Sequence, residues 1–204
     1  MISDTATHQF TLDGGHPGLD FANTLEGRHD NRIEERIPDY QALLAFAAAT
    51  ELIDRETRER LIRDAGARPH EAASVHAAAR ALREALFAAA SALVGARDPD
   101  PADLRVISRA GAAAHAAGAF IQNGEGFRWS WERATTRLEL PYWQLADAAL
   151  DLLGHEDLSR LRVCAADDCD WLFLDDTRNR SRKWCDMSTC GNRAKVARYR
   201  RRRD

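Results

Sequence analysis

The sequence predicts an α+β protein: a mainly helical N-terminal domain with a small antiparallel hairpin, then a small four-cysteine module that ends in a basic helix. Three observations support this prediction. Apolar residues recur every three or four positions over much of the first 157 residues, an alternating aromatic segment occurs once, and all four cysteines lie between residues 164 and 190. We therefore predict two domains, residues 1–157 and 158–204.

The first elements are a predicted strand and a predicted helix. HQFTL, residues 8–12, alternates apolar and polar side chains as a strand does, and the DGGHPG that follows is typical of a turn. GLDFANTLEGR then places Leu19, Ala22 and Leu25 on one face of a helix.

Four further helices are predicted from capping residues and apolar spacing. Asp39 suits the N-cap of a helix that runs to Ala49, and Asp54 suits the N-cap of the next one. Residues 70–94 carry an apolar stripe at helical spacing and are rich in alanine, which favours a helix. Asp100, which precedes a proline, is predicted to cap another helix.

The segment AFIQNGEGFRWSWE predicts a β-hairpin, because two alternating runs flank a glycine-containing turn. Phe127, Trp129 and Trp131 would share one face of this hairpin, with the tryptophans in the core. Pro141 then opens a last core helix, PYWQLADAALDLL, which Gly154 closes.

Composition and charge favour a cytoplasmic protein with a polyanionic partner. The N-terminus, MISDTATHQFTLDGG, lacks the basic and apolar regions of a signal peptide, and no uncharged apolar run approaches the ~20 residues that cross a bilayer. The net charge of −3 divides into −8 for residues 1–160 and +5 for residues 161–204. A basic end on an acidic body indicates a polyanion that is contacted at one end only.

The four cysteines form two pairs, Cys164-x4-Cys169 and Cys185-x4-Cys190. In a reducing compartment, clustered cysteines bind metal more often than they form disulfides. Four thiolates match the tetrahedral preference of zinc and leave no open coordination position, so we predict one structural Zn²⁺ per chain. Zinc would also stabilise a segment too short to build its own core. Buried unliganded thiols and a redox or disulfide role are the alternatives.

Basic residues are dense around and after the second cysteine pair. Residues 177–203 contain eleven Lys or Arg residues and a single acid, Asp186. A final helix is predicted after Gly191, with Val196 and Tyr199 facing inward. Arginine can hold phosphate oxygens or a guanine edge at two points. The predicted nucleic-acid contacts are Arg178, Asn179, Arg180, Arg182, Lys183, Asn192, Arg193, Lys195, Arg198, Arg200, Arg201, Arg202 and Arg203, with base-edge contacts expected from Arg180, Arg182, Asn192 or Arg193.

The segment WLFLDDTRNRSRKWCDMSTCGNRAKVARYRRR, which spells CGNR at residues 190–193, resembles the CGNR zinc-finger family. The earlier GLDFANTL resembles the LDFxNT start of the ABATE domain, which usually precedes this finger. The resemblance spans the whole chain. It implies a bacterial transcription regulator of the stress response, with Cys164, Cys169, Cys185 and Cys190 as the zinc ligands.

The polar residues of the ABATE-like motif GLDFANTL are Asp20, Asn23 and Thr24. They could line a small-molecule pocket between the helical body and the hairpin tryptophans. The alternative, more usual for such residues, is that they cap helices or satisfy local backbone groups. The sequence contains no GxSxG, P-loop or GxGxxG motif, so we do not expect an enzyme.

Together these features predict a zinc-dependent DNA-binding transcription regulator, whose helical domain senses a small-molecule effector or forms a homodimer. One alternative is an RNA-binding protein that uses the same finger, since arginine-rich segments serve either polymer. The other is a ligand-binding or enzymatic N-terminal domain to which the finger is accessory.

Overall fold

The structure is a computed structural model that describes residues 10–28 and 32–200. Its elements confirm the α+β class. The helices are α1 Pro17–Ala22, α2 Tyr40–Ala49, α3 Arg55–Ala67, α4 Pro69–Val94, α5 Pro101–Ala117, α6 Leu140–His155 and α7 Asn192–Arg200. The strands are β1 Leu25–Glu26, β2 Glu34–Glu35, β3 Ala119–Asn123, β4 Gly126–Ser130, β5 Leu161–Val163 and β6 Leu172–Leu174, and they pair antiparallel as β1–β2, β3–β4 and β5–β6.

The three aspartates that were predicted to cap helices do so. Each side chain satisfies a backbone N–H that has no partner within the first helical turn. Asp39 accepts from Ala42 at 2.8 Å, Asp54 from Thr57 at 2.7 Å and Asp100 from Ala102 at 2.7 Å.

Two predictions near the N-terminus need correction. Residues 10–12 are not a strand, because Phe10 packs edge-on against Phe46 of α2 instead of pairing with a neighbouring strand; His8 and Gln9 lie outside the described residues. The first helix ends at Ala22 and does not reach Leu25, which pairs with Glu35 in the β1–β2 ribbon.

Helix α4 is the centre of the core. It packs against α1, α2, α3, α5 and α6, and its Leu82 and Leu86 side chains are fully buried. The predicted hairpin is β3–β4, with Phe120 opposite Trp129. The face of the hairpin that was predicted to carry Phe127 and the tryptophans is less buried than expected, since Phe127 is 74% exposed. None of the helices in the described part of the chain is both long and apolar enough to span a bilayer.

The four-cysteine module shares the core of the helical body. Strands β5 and β6 contact α4, and Leu161, Leu172 and Leu174 belong to the same buried cluster as the leucines of α4. The backbone N–H of Leu174 also donates to the Gly14 carbonyl at 2.9 Å. This packing holds the cysteine module in a defined position on the body.

Candidate metal centre and nucleic-acid interface

The four cysteines converge on one point. All four Sγ atoms lie within 4.8 Å of one another. The Cys169 and Cys185 sulfurs are 3.8 Å apart, and those of Cys185 and Cys190 are 3.6 Å apart. A tetrahedron with Zn–S bonds of about 2.3 Å has edges of about 3.8 Å, so the sulfur positions fit one tetrahedral ion. The four cysteines form a metal-binding cluster.

Backbone hydrogen bonds shape the two turns that carry the sulfurs. The Cys164 N–H donates to the Trp171 carbonyl at 2.8 Å, which closes the first turn beside β6. In the second turn, the Asp186 side chain accepts from the backbone of Ser188 and Thr189, and the Gly191 N–H donates to the Asp186 carbonyl at 3.0 Å. The sulfurs are therefore positioned by local backbone geometry.

Three of the cysteine thiols shift one another's pKa. Hydrogen bonds from Cys169 and Cys185 lower the pKa of the Cys164 thiol, and hydrogen bonding to Cys164 raises the pKa of both partners. Four adjacent thiolates would repel each other, and a divalent cation between them removes that repulsion. The four cysteines therefore fit a metal ion both in their geometry and in their chemistry.

Arg182 lies inside the module, although the sequence predicts it as a nucleic-acid contact. Its guanidinium donates to the carbonyls of Asp13, at 2.8 Å, and of Cys185, and it lies 4.6 Å from the centre of the Phe173 ring. Its backbone N–H donates to the buried Asp175 carboxylate at 2.9 Å. Arg182 therefore ties the N-terminal loop to the second cysteine turn.

Two more of the predicted contacts are paired with acids of this chain. Arg180 donates to Asp157 at 3.1 Å, and Arg193 lies 3.4 Å from Asp168. Arg193 also donates to the Cys190 sulfur at 3.0 Å. Burial lowers the pKa of Arg193, but the charges of Cys190 and Asp168 outweigh that effect and raise it.

The remaining described contacts are exposed: Arg178, Asn179, Lys183, Asn192, Lys195, Arg198 and Arg200. Arg201, Arg202 and Arg203 lie outside the described residues. Val196 and Tyr199 were expected to face inward, and that expectation is wrong, because the half-buried residues of α7 are Ala194 and Ala197. The structure thus brings a basic, solvent-facing helix directly beside the sulfur cluster.

Comparison with known families gives two matches. The model described as "Putative stress-induced transcription regulator", the ABATE family, matches residues 15–156, and the model described as "CGNR zinc finger" matches residues 160–203. The chain belongs to the ABATE family and ends in a CGNR zinc finger. No curated protein matches the chain. The order of the two matches confirms the resemblance seen in the sequence.

The polar residues of the ABATE signature are paired with backbone groups. The Asn23 amide donates to the Leu172 carbonyl at 2.8 Å and accepts from the Leu172 N–H at 2.9 Å, so it holds strand β6 of the finger. Asp20 accepts from the Gly14 N–H at 2.8 Å, and the Thr24 hydroxyl donates to the Phe21 carbonyl at 2.7 Å.

These three residues border a cavity of only about 50 Å³, beside Trp171 of the finger and not beside the hairpin tryptophans. The expected location of a ligand pocket is therefore corrected. A larger cleft, of about 340 Å³, lies between the β1–β2 ribbon of the ABATE domain and the CGNR finger. Its lining comes from separate segments of the chain, so the sequence pattern could not reveal it.

Among the described residues, His16, Asp151 and Glu156 form a second group of adjacent metal-type donors. His16 Nδ1 accepts from the Gly18 N–H at 3.0 Å, so in the neutral imidazole the proton is on Nε2, which lies 3.1 Å from Asp151. A protonated nitrogen cannot bind a metal ion, and this group is better explained as a hydrogen-bonded helix cap of the ABATE domain.

Proposed function

We propose that this protein is a zinc-dependent DNA-binding transcription regulator without catalytic activity. One structural Zn²⁺ bound by Cys164, Cys169, Cys185 and Cys190 would hold the CGNR finger in shape, and the finger would bind the DNA backbone. The observation that carries the proposal is the position of the exposed basic helix α7 directly after the last cysteine.

The donor set favours zinc over harder cations. Thiolates select zinc, copper(I) or iron–sulfur clusters, whereas magnesium and calcium prefer oxygen ligands. Four protein ligands leave no position for a substrate or a reactive water, which supports a structural role. When bound, the ion would neutralise part of the thiolate charge and supply folding energy to the finger.

Charge distribution supports DNA as the partner. The finger segment, residues 161–204, has a formal charge of +5, and the rest of the chain has −8. The acidic body would be repelled by a polyanion, so the finger end would face the DNA. Arg178, Lys183, Lys195, Arg198 and Arg200 are exposed cations at that end.

Binding to duplexes selected from random DNA tests this proposal. If five or six cations meet phosphates, the slope of log K against log salt should be about −5. Replacing both Arg198 and Arg200 by alanine should make the slope less steep by about 2. The matched control replaces Arg105 and Arg109 by alanine, because these exposed arginines of α5 lie on the ABATE domain.

Zinc dependence is tested in the same assay. Elemental analysis should find one zinc per chain, and a strong chelator should abolish binding. Salt-insensitive binding, or binding that survives complete removal of zinc, would contradict the proposal. The RNA alternative predicts that structured RNA competes better than duplex DNA at one stated salt concentration. Homodimerisation, a small-molecule effector and a cytoplasmic location stay predictions.

A further inference from the structure

Helix α7 has an outward face that is exposed to solvent. Ala194 and Ala197 are half-buried and, with Arg193, border a recess beside residues 165–168 of the first cysteine turn. The residues that recur at i, i+3, i+4 and i+7 on the other side are all exposed. This outward face consists of Asn192, Lys195, Val196 and Tyr199.

Apolar side chains lie at the centre of the outward face, and cationic side chains lie around them. Val196 is 50% exposed and Tyr199 is 59% exposed. Lys195, Arg198 and Arg200 lie on the same helix, which contains no acidic residue. A solvated basic tail would not need an exposed valine at its centre. The combination fits a partner that offers a small apolar group flanked by negative charges.

The major groove of B-form DNA has this chemistry. Its floor displays the 5-methyl group of thymine, its edges are lined with phosphates, and its width of about 12 Å admits one α-helix. A-form RNA differs on both counts, because its major groove is deep and narrow and uracil has no methyl group. An exposed valine on a basic helix therefore suits the major groove of DNA better than that of RNA.

We propose that the outward face of α7 enters the DNA major groove and that Val196 contacts a thymine methyl group. This inference rests on the proposed function and deepens it by naming the groove that the helix enters and the base that it contacts. Phosphate contacts by Lys195, Arg198 and Arg200 set the position of the helix, and the Val196 contact contributes sequence preference.

Two polar residues suit this role less well. Asn192 donates its side-chain amide to the Ser188 carbonyl at 2.8 Å, so it is not free for the two-point contact that recognises adenine. Arg193 is held by the Cys190 sulfur and by Asp168. Asn192 and Arg193 therefore fix the start of α7. The residue that would contact a base is Val196, one turn further along the helix.

The test replaces every thymine of a selected duplex by deoxyuridine, which removes only the methyl groups. The wild-type protein should bind the deoxyuridine duplex about four-fold more weakly, the loss expected for one buried methyl-sized group. V196A should bind the thymine duplex about four-fold more weakly and should no longer distinguish the two duplexes. Competition anisotropy at one salt concentration measures all four affinities.

The control is V163A, which shortens another exposed valine of the finger, on β5. It should keep the wild-type preference for thymine, and both variants should bind one zinc with unchanged circular dichroism. Salt-sensitive binding without a thymine preference, or a preference that V196A retains, overturns this inference and leaves the proposed function intact. Absence of binding to any duplex overturns both.

Discussion

At the scale of single residues, Asp20 is an acid buried at the junction of the ABATE domain and the finger. It is 7% exposed, and burial, only partly offset by the hydrogen bond from Gly14, raises its pKa to about 6. The folded state therefore holds this proton at pH values where the unfolded chain has released it. The free energy of unfolding therefore falls as the pH rises from about 4 to above 6, because the folded state resists loss of the Asp20 proton.

Asp20→Asn should remove this pH dependence. The amide keeps an acceptor for the Gly14 N–H but carries no charge, so the variant should gain about 2 to 3 kcal/mol of unfolding free energy over the wild type between pH 4 and pH 7. Urea unfolding of both proteins at several pH values measures the difference, and other titrating groups cancel in it. A difference that does not change with pH would refute the burial argument.

At the scale of secondary-structure elements, the decisive contact joins the loop after α1 to strand β6. Asn23 is 1% exposed and makes both of its hydrogen bonds to the backbone of Leu172. A buried amide placed in this way completes the edge of a strand that has β5 on its other side. The Asn23 side chain thus links the ABATE signature to strand β6 of the finger.

Asn23→Ala should destabilise the protein by about 2 to 4 kcal/mol, because a buried N–H and a buried carbonyl would each lose their partner. Chemical unfolding measures this loss. Asn179→Ala is the control, since Asn179 is exposed in the finger, and its replacement should change stability by less than about 0.5 kcal/mol. Equal effects of the two substitutions would show that the Asn23 contact contributes little.

At the scale of the whole molecule, the finger and the ABATE domain stabilise each other. Three leucines of β5 and β6 lie in the helical core, and Arg182 of the finger donates to the N-terminal loop. Because zinc would organise the turns between these strands, the metal would also act on the helical domain.

Removing zinc should therefore lower the melting temperature of the helices themselves. Burial of three leucines contributes about 5 kcal/mol, which corresponds to a decrease of roughly 10 to 20 °C for a chain of this size. Far-ultraviolet circular dichroism with and without a chelator, and again after zinc is restored, measures it. Helices that melt at the same temperature without the metal would instead indicate two independent domains.

The sequence by itself determined the features that depend on local chemistry. The capping aspartates, the alanine-rich helix α4, the hairpin β3–β4 and the cysteine pairs were all predictable, because each depends on residues close together in the chain. The family also followed from two short motifs. Local signals specify local structure, and the spacing of four cysteines already limits what they can bind.

Only the tertiary structure decided which polar groups are free. Arg182 and Arg193 look like their neighbours in the sequence, yet the fold gives their guanidinium groups carbonyl, sulfur and carboxylate partners, of which Asp13 and Asp168 lie far away in the chain. Val196 and Tyr199 have the spacing of inward-facing residues, but the alanines of α7 take that side. Long-range packing determines which face of a short helix is buried and which partners each buried charge has. The local sequence specifies neither.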